Sequence, residues 1–258
     1  MLLAVNIGNT HIRMGLFNDG NLVQTWRLRT DPHRTEDEYV HLLTGMFSNS
    51  VNMPQEGSAI DESIFAAVVP PLREVFTATL RSITKSKPTV VDTRLDTGIT
   101  IKTDSPNELG ADLLVNGAAA YHLYKRDCIV VDFGTALSFT VVSKNGELLG
   151  ASIAPGVQGA LESLVQDTAQ LHLVELSPPP SAVGKNTTQA IQSGLLYGYS
   201  GLVTGILNQL QAESERKYFV IATGGLSSIF GSFIGSIDSV DPHHTLKGLQ
   251  ILKNRNKS

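Results

Sequence analysis

The sequence predicts an α/β protein made of two similar domains in tandem, and two observations carry that expectation. Segments of strand character alternate with segments of helical periodicity along the whole chain. The opening stretch "VNIGNTHIRMGLFNDGNL" is echoed by "VDFGTALSFTVVSKNGEL" from Val131. Asn6 matches Asp132, Gly8 matches Gly134, Gly20 matches Gly146 and Leu22 matches Leu148, all at one constant offset. That offset is close to half the chain and too long for a solenoid repeat, so tandem domains rather than an array are implied. The expected division is residues 1–116 and 117–258.

The elements follow in order. "LAVNIGNTHIRMGLF" reads as an apolar strand, a tight Gly-Asn-Thr turn and a second strand, closed by an Asp-Gly hairpin turn and a third strand. Residues 35–48, "TEDEYVHLLTGMFS", predict a helix. Thr35 and Glu38 form a capping box, with Tyr39, Leu42, Leu43, Met46 and Phe47 at helical spacing. A second helix follows "VVPP", with Leu72, Val75, Phe76, Leu80 and Ile83 on one face. "PNELGADLLVNGAAAYHL" predicts a helix with Pro106 in its first turn. Next comes the echoed strand set. "ELSPPPSAVGKN" is a loop, because three consecutive prolines forbid a helix there. The helix after it carries Gly194, Gly198, Gly201 and Gly205 at spacings of three and four, a stripe that lets another backbone come close. "YFVI" is a strand, and "ATGGLS" after it turns into a further helix.

Composition narrows the class. With 258 residues, a net charge of −4 and 17% charged residues, the chain gives no sign of a nucleic-acid or anionic-membrane partner. The one cysteine, Cys128, sits in the apolar run "CIVVDFG" and reads as a small core residue. No signal pattern precedes the first strand, and "GLLYGYSGLVTGILNQL" is too polar to span a bilayer. A cytoplasmic protein is expected.

The paired Gly-Thr turns carry the chemistry. Each offers backbone N–H groups and a hydroxyl to a phosphate, and two domains facing each other would offer both to one polyphosphate. Mg²⁺ beside such a turn is usually held by one or two carboxylates, yet the first strand ends in Asn6.

This arrangement resembles the actin-like ATPase superfamily, with its ribonuclease H-like domains, mixed sheets and central nucleotide cleft. "VVDFGTALSFT", "GASIAPG", "VGKNTTQAIQSGLLYGY", "IATGGLS" and "DPHHTLKGLQIL" together resemble type III pantothenate kinases, with "TEDEY" and "AAVVPPL" fitting as well. The resemblance implies transfer of the γ-phosphoryl group of ATP to the primary hydroxyl of pantothenate, the first committed step toward coenzyme A. It also implies Mg²⁺, a monovalent cation (K⁺ or NH₄⁺) and a homodimer. Residue by residue, it implies Asp112 as general base and Asp132 as ligand of the monovalent cation. Asn6, Gly8, Asn9, Thr10, Thr135, Gly224 and Gly225 become contacts for ATP, and Thr103, Gly110, Ala111, Leu113 and Thr187 contacts for pantothenate.

Three of these positions depart from the family pattern. The usual aspartate is Asn6, the arginine of "GADR" is Leu113, and a tyrosine lining the pantothenate site corresponds to Thr103. At ~4 Å and an effective dielectric of ~20, one charge pair is worth on the order of 4 kcal/mol before desolvation. Three readings therefore stay open on sequence: a pantothenate kinase with weakened activity, a catalytically inactive nucleotide-binding relative with a regulatory or interaction role, and a kinase or phosphohydrolase acting on another small hydroxylated substrate.

Overall fold

A computed structural model describes residues 1–48, 60–168 and 170–257. The chain separates into two compact units, one of residues 1–122 with 244–258 and one of residues 123–243. The division differs from the expected 116/117 boundary, and the C-terminal helix belongs to the first unit.

The first unit contains β1 (Leu2–Ile7), β2 (His11–Asn18), β3 (Asn21–Arg29), α1 (Glu36–Ser48), β4 (Glu62–Ala67), α2 (Pro70–Thr84), β5 (Thr89–Val90) and β6 (Thr100–Ile101). A 3₁₀ turn (Pro106–Glu108) and α3 (Ala111–Tyr124) follow. Its sheet runs β3-β2-β1-β4-β5, antiparallel on the β1–β2–β3 side and parallel from β1 through β4 to β5. The second unit contains β7 (Cys128–Phe133), β8 (Ala136–Val142), β9 (Glu147–Pro155), α4 (Val157–Gln166), α5 (Thr187–Ala212), β10 (Phe219–Gly224), α6 (Ser227–Gly231) and β11 (Ser239–Val240). Its strands β9-β8-β7-β10-β11 repeat the same order with the same directions. The internal echo is thus a repeated topology.

The two hairpins agree in register but differ in turn chemistry. Asp19 and Gly20 both have positive φ (47° and 87°), the type I′ geometry of a two-residue loop. In the second copy only Gly146 is positive (76°), and its N–H donates to the Ser143 carbonyl at 3.0 Å, a type I turn ending in a bulge.

β1 is buried along most of its length because both sheet faces are covered. Leu3, Val5 and Ile7 join Tyr39, Leu43 and Phe47 of α1 and Leu72, Phe76 and Leu80 of α2 in one core. The other face receives the C-terminal helix α7 (His244–Arg255), which packs on β1, β4 and β2. There Leu246 fills the space that a side chain on Gly15 would need. This apolar demand of the sheet decides which unit α7 joins.

α1 begins with the expected capping box. The Thr35 N–H donates to Glu38 Oε2 at 2.7 Å, and the Glu38 N–H donates to Thr35 Oγ1 at 3.4 Å. The helix predicted from Pro106 instead starts at Ala111, because extended Leu109 (ψ 124°) separates it from the 3₁₀ turn. In the second unit Phe133 stacks on Phe230 at 4.8 Å within a core that also takes in α5 and β10. Cys128 is fully buried, and burial pushes its thiol up to about 12, so it serves as an inert core residue.

Candidate functional site

In the first unit the turn after β1 is braced by Thr30. Thr30 Oγ1 donates to the Gly8 carbonyl at 2.7 Å, and the Thr30 N–H donates to the Thr10 carbonyl at 3.0 Å. The Gly8 N–H donates to the His11 carbonyl at 3.1 Å, while Asn9 and Thr10 stay exposed. Asn6 Oδ1 is buried and has no hydrogen-bond partner.

Asp112 lies in the first turn of α3, a helix buried continuously from Leu113 to Ala120. Its Oδ1 accepts the Leu113 N–H at 2.8 Å. Burial raises its pKa, and the N–H groups of Leu113 and of Asp112 itself pull it part of the way back. Gly110 makes room for this carboxylate, since a Cβ there would lie 2.6 Å from Asp112 Oδ1. Ala111 opens the helix, and Leu113 is only 8% exposed. Thr103 Oγ1 is buried without a partner. A cavity of ≈ 400 Å³ beside this segment is lined by Thr97, Ile99, Ile101, Pro106, Asn107 and Leu114 among others, and Asp112 does not line it.

In the second unit the predicted residues Asp132, Gly134 and Gly224 come together. A Cβ on Gly224 would lie 2.5 Å from Asp132 Oδ1 and 2.7 Å from the Phe133 nitrogen, and Gly224 has φ +94°. The strand β10 runs through "ATG" to Gly224, farther than "YFVI", and Ser227 Oγ donates to the Gly224 carbonyl at 2.8 Å. Thr223 Oγ1 is buried without a partner. Gly225 and Thr135 are exposed.

Sequence reasoning missed how "GASIAPG" and "LLYGY" serve this turn. A Cβ on Gly156 would come within 2.7 Å of the Gly134 carbonyl oxygen. Tyr199 Oη reaches the Pro155 and Gly156 carbonyls at 3.2 Å each, fixing that segment. The proline-glycine pair was a usable signal for a tight approach, but its target was not legible.

Thr187 is the exposed first residue of α5. Asn186 caps this helix by accepting the Gln189 N–H at 2.9 Å, while Gln189 Oε1 accepts the Lys185 N–H at 3.0 Å. Asn186→Ala is expected to destabilise the protein by about 1 kcal/mol, read as a lower midpoint in thermal denaturation. An unchanged midpoint would show that the cap contributes nothing.

Mg²⁺ keeps several waters and takes one or two carboxylates together with substrate phosphates. Among the described residues no group of three or more His, Cys, Asp or Glu side chains forms a metal cage. In the second unit the Asp132 carboxylate is an oxygen donor of the kind a hard cation carried on nucleotide phosphates accepts, whereas in the first unit Asn6 offers only a neutral amide.

Comparison with known proteins identifies the family. Residues 2–209 match the family described as type III pantothenate kinase. A type III pantothenate kinase of Moorella thermoacetica is 42% identical over 256 residues, 99% of this chain and 100% of the relative. One from Roseiflexus sp. (strain RS-1) is 40% identical over 258 residues, 100% of each. Among solved structures, the inorganic polyphosphate/ATP-glucomannokinase of Arthrobacter sp. strain KM has a TM-score of 0.51 at 15% identity, covering 99% of each chain, which speaks for the fold alone. The family match over residues 2–209 and the 40–42% identity along essentially the whole chain assign it to the type III pantothenate kinase family.

Proposed function

We propose that this protein transfers the γ-phosphoryl group of ATP to the primary hydroxyl of pantothenate, giving 4′-phosphopantothenate and ADP. The observation that carries this reading is Asp112, a carboxylate at the family's general-base position whose basicity burial has raised. As the hydroxyl oxygen bonds to phosphorus and the bond to the β-phosphate oxygen breaks, Asp112 takes the hydroxyl proton. Asn6, Gly8, Asn9, Thr10 and Thr135 offer main-chain N–H groups and polar side chains to the phosphates. Gly224 and Gly225 give adenosine a flat approach to the main chain. Gly110, Ala111, Leu113, Thr103 and Thr187 serve pantothenate, the two hydroxyls facing its polar amide and hydroxyl groups. Buried atoms without partners at Asn6 and Thr103 support these roles, because an unsatisfied buried polar group costs about 1–3 kcal/mol that a ligand can recover.

Mg²⁺ carried on the phosphates would neutralise part of their charge, with the Asp132 carboxylate available to it. Asp132 would also hold K⁺ or NH₄⁺ beside the Gly134 turn. A homodimer through α5 is part of the same reading. Gly194, Gly198, Gly201 and Gly205 are exposed with open space around each, and Tyr197 beside them is 45% exposed. Among the described residues no helix is long and apolar enough to cross a membrane, which suits an enzyme of the cytoplasm.

A second reading, a nucleotide binder without kinase activity, draws on buried Leu113 standing where the family has a guanidinium. Coupled ADP release with and without pantothenate separates the two. Pantothenate-dependent release is expected, and ATP binding without any such release would favour the silent binder.

A further inference from the structure

The face of the first sheet that α7 covers farther along carries, next to the Gly8–Thr10 turn, a basic cluster that the roles above do not use. Asn6 stands opposite Arg13 across β1 and β2, and Arg13 stands opposite Arg27 across β2 and β3. At the turn end of the same ladder His11 stands opposite Arg29. Residues two apart on a strand share a face, so His11, Arg13, Arg27 and Arg29 lie together on the face that Asn6 shares. The alternate residues Ile12 and Met14 point the other way, into the core. Burial lowers the pKa of His11, and the charges of Arg27, Arg13 and Arg29 lower it further, which reports how close the four groups are. None of the three arginines has an ion-pair partner among the described residues. In a protein of net charge −4 this is a local excess of positive charge beside a braced phosphate turn.

Directly opposite side chains in an antiparallel pair have Cβ atoms about 4.5–5.5 Å apart. A carboxylate at position 6 would therefore pair with Arg13 and consume its charge. The neutral amide leaves it available.

We propose that Arg13, supported by Arg27 and Arg29, binds the phosphate chain of the nucleoside triphosphate, so that guanidinium charge does at this turn what a carboxylate-held divalent cation would otherwise do. The inference rests on the nucleotide-binding reading and deepens it. Asn6 and Arg13 then act as one device, with the amide accepting or donating a hydrogen bond while the guanidinium forms charge-assisted bonds to phosphate. The predicted consequence is nucleotide binding with little need for Mg²⁺.

The test is ATP affinity by calorimetry, in Mg²⁺ and in EDTA, at two salt concentrations, for wild type, Arg13→Gln, Arg13→Lys and Asn6→Asp. Wild type is expected to keep its ATP affinity in EDTA. Arg13→Gln should lose about ten-fold of it there, with a shallower salt dependence, since one charge-assisted contact disappears. Arg13→Lys should recover part of the loss, and Asn6→Asp should make binding depend on Mg²⁺. Circular dichroism checks folding, and Arg27→Gln should give a smaller loss of the same kind if Arg13→Gln does not fold. Wild-type binding that requires Mg²⁺, or EDTA affinity unmoved by Arg13→Gln or Arg27→Gln, overturns the proposal. In that event pantothenate-dependent ADP release keeps the kinase reading standing. No ATP binding in either condition sinks both.

Discussion

Asp112→Asn is expected to lower kcat for pantothenate phosphorylation by about 10²–10⁴-fold, the usual contribution of a positioned general base. Asparagine keeps the shape and can still accept the Leu113 N–H that Asp112 Oδ1 accepts at 2.8 Å, so the first turn of α3 should survive. What the amide cannot do is take a proton from the attacking hydroxyl. The direction of the pKa shift sets the pH profile. Burial raises the pKa of Asp112, so the base is lost by protonation as pH falls through a value above the ordinary carboxylate range. The acid limb of kcat/KM should lie above pH ~4 and vanish from the residual activity of the variant. The stability effect has the opposite sense. A carboxyl whose folded pKa is raised destabilises the fold once pH has risen through that pKa, and this cost disappears below the unfolded value. Asp112→Asn should therefore melt at or above the wild-type temperature near neutral pH while losing activity. A variant that keeps more than a tenth of kcat, or an unchanged acid limb, would remove Asp112 from the role of base.

Gly224→Ala should both destabilise the protein and weaken ATP binding. At φ +94° an L side chain is strained, and such positions cost of order 1–3 kcal/mol. The new Cβ would also meet Asp132 Oδ1 at 2.5 Å and the Phe133 main chain at 2.7 Å. Backbone on one side and a strand partner on the other leave it no soft neighbour to displace except the carboxylate. Asp132 would have to turn away from the Gly134 turn, removing the group proposed to hold a cation beside the phosphates. A lower melting temperature and at least several-fold weaker ATP binding are the expected results. Gly159→Ala is the control. It lies in α4 with open space around it, and alanine should stabilise that helix by up to about 1 kcal/mol. If Gly224→Ala melts and binds nucleotide like wild type, the close approach of β10 to Asp132 has no functional weight.

Much of this was written locally in the chain. The repeated hairpin motif, the capping box at Thr35 and Glu38, the core identity of Cys128 and the proline-rich loop before α5 depend on residues a few positions apart. Turn chemistry and side-chain period suffice for such features. The family motifs likewise put Asp112, Asp132 and Gly224 forward as site residues. Tertiary structure decided what depends on distant partners. α3 starts at Ala111 because Leu109 is extended, a choice that a continuous apolar run does not reveal. α7 joins the first unit because the second face of its sheet needs an apolar cover, and a helix's own periodicity does not say which sheet it will meet. Gly156 finds the Gly134 carbonyl, and Arg13 finds Asn6 on one side and Arg27 on the other, only through strand register. Register is set by the alternation of buried and exposed residues over entire strands. Which charges end up side by side is therefore a property of the assembled sheet and not of any one stretch of sequence.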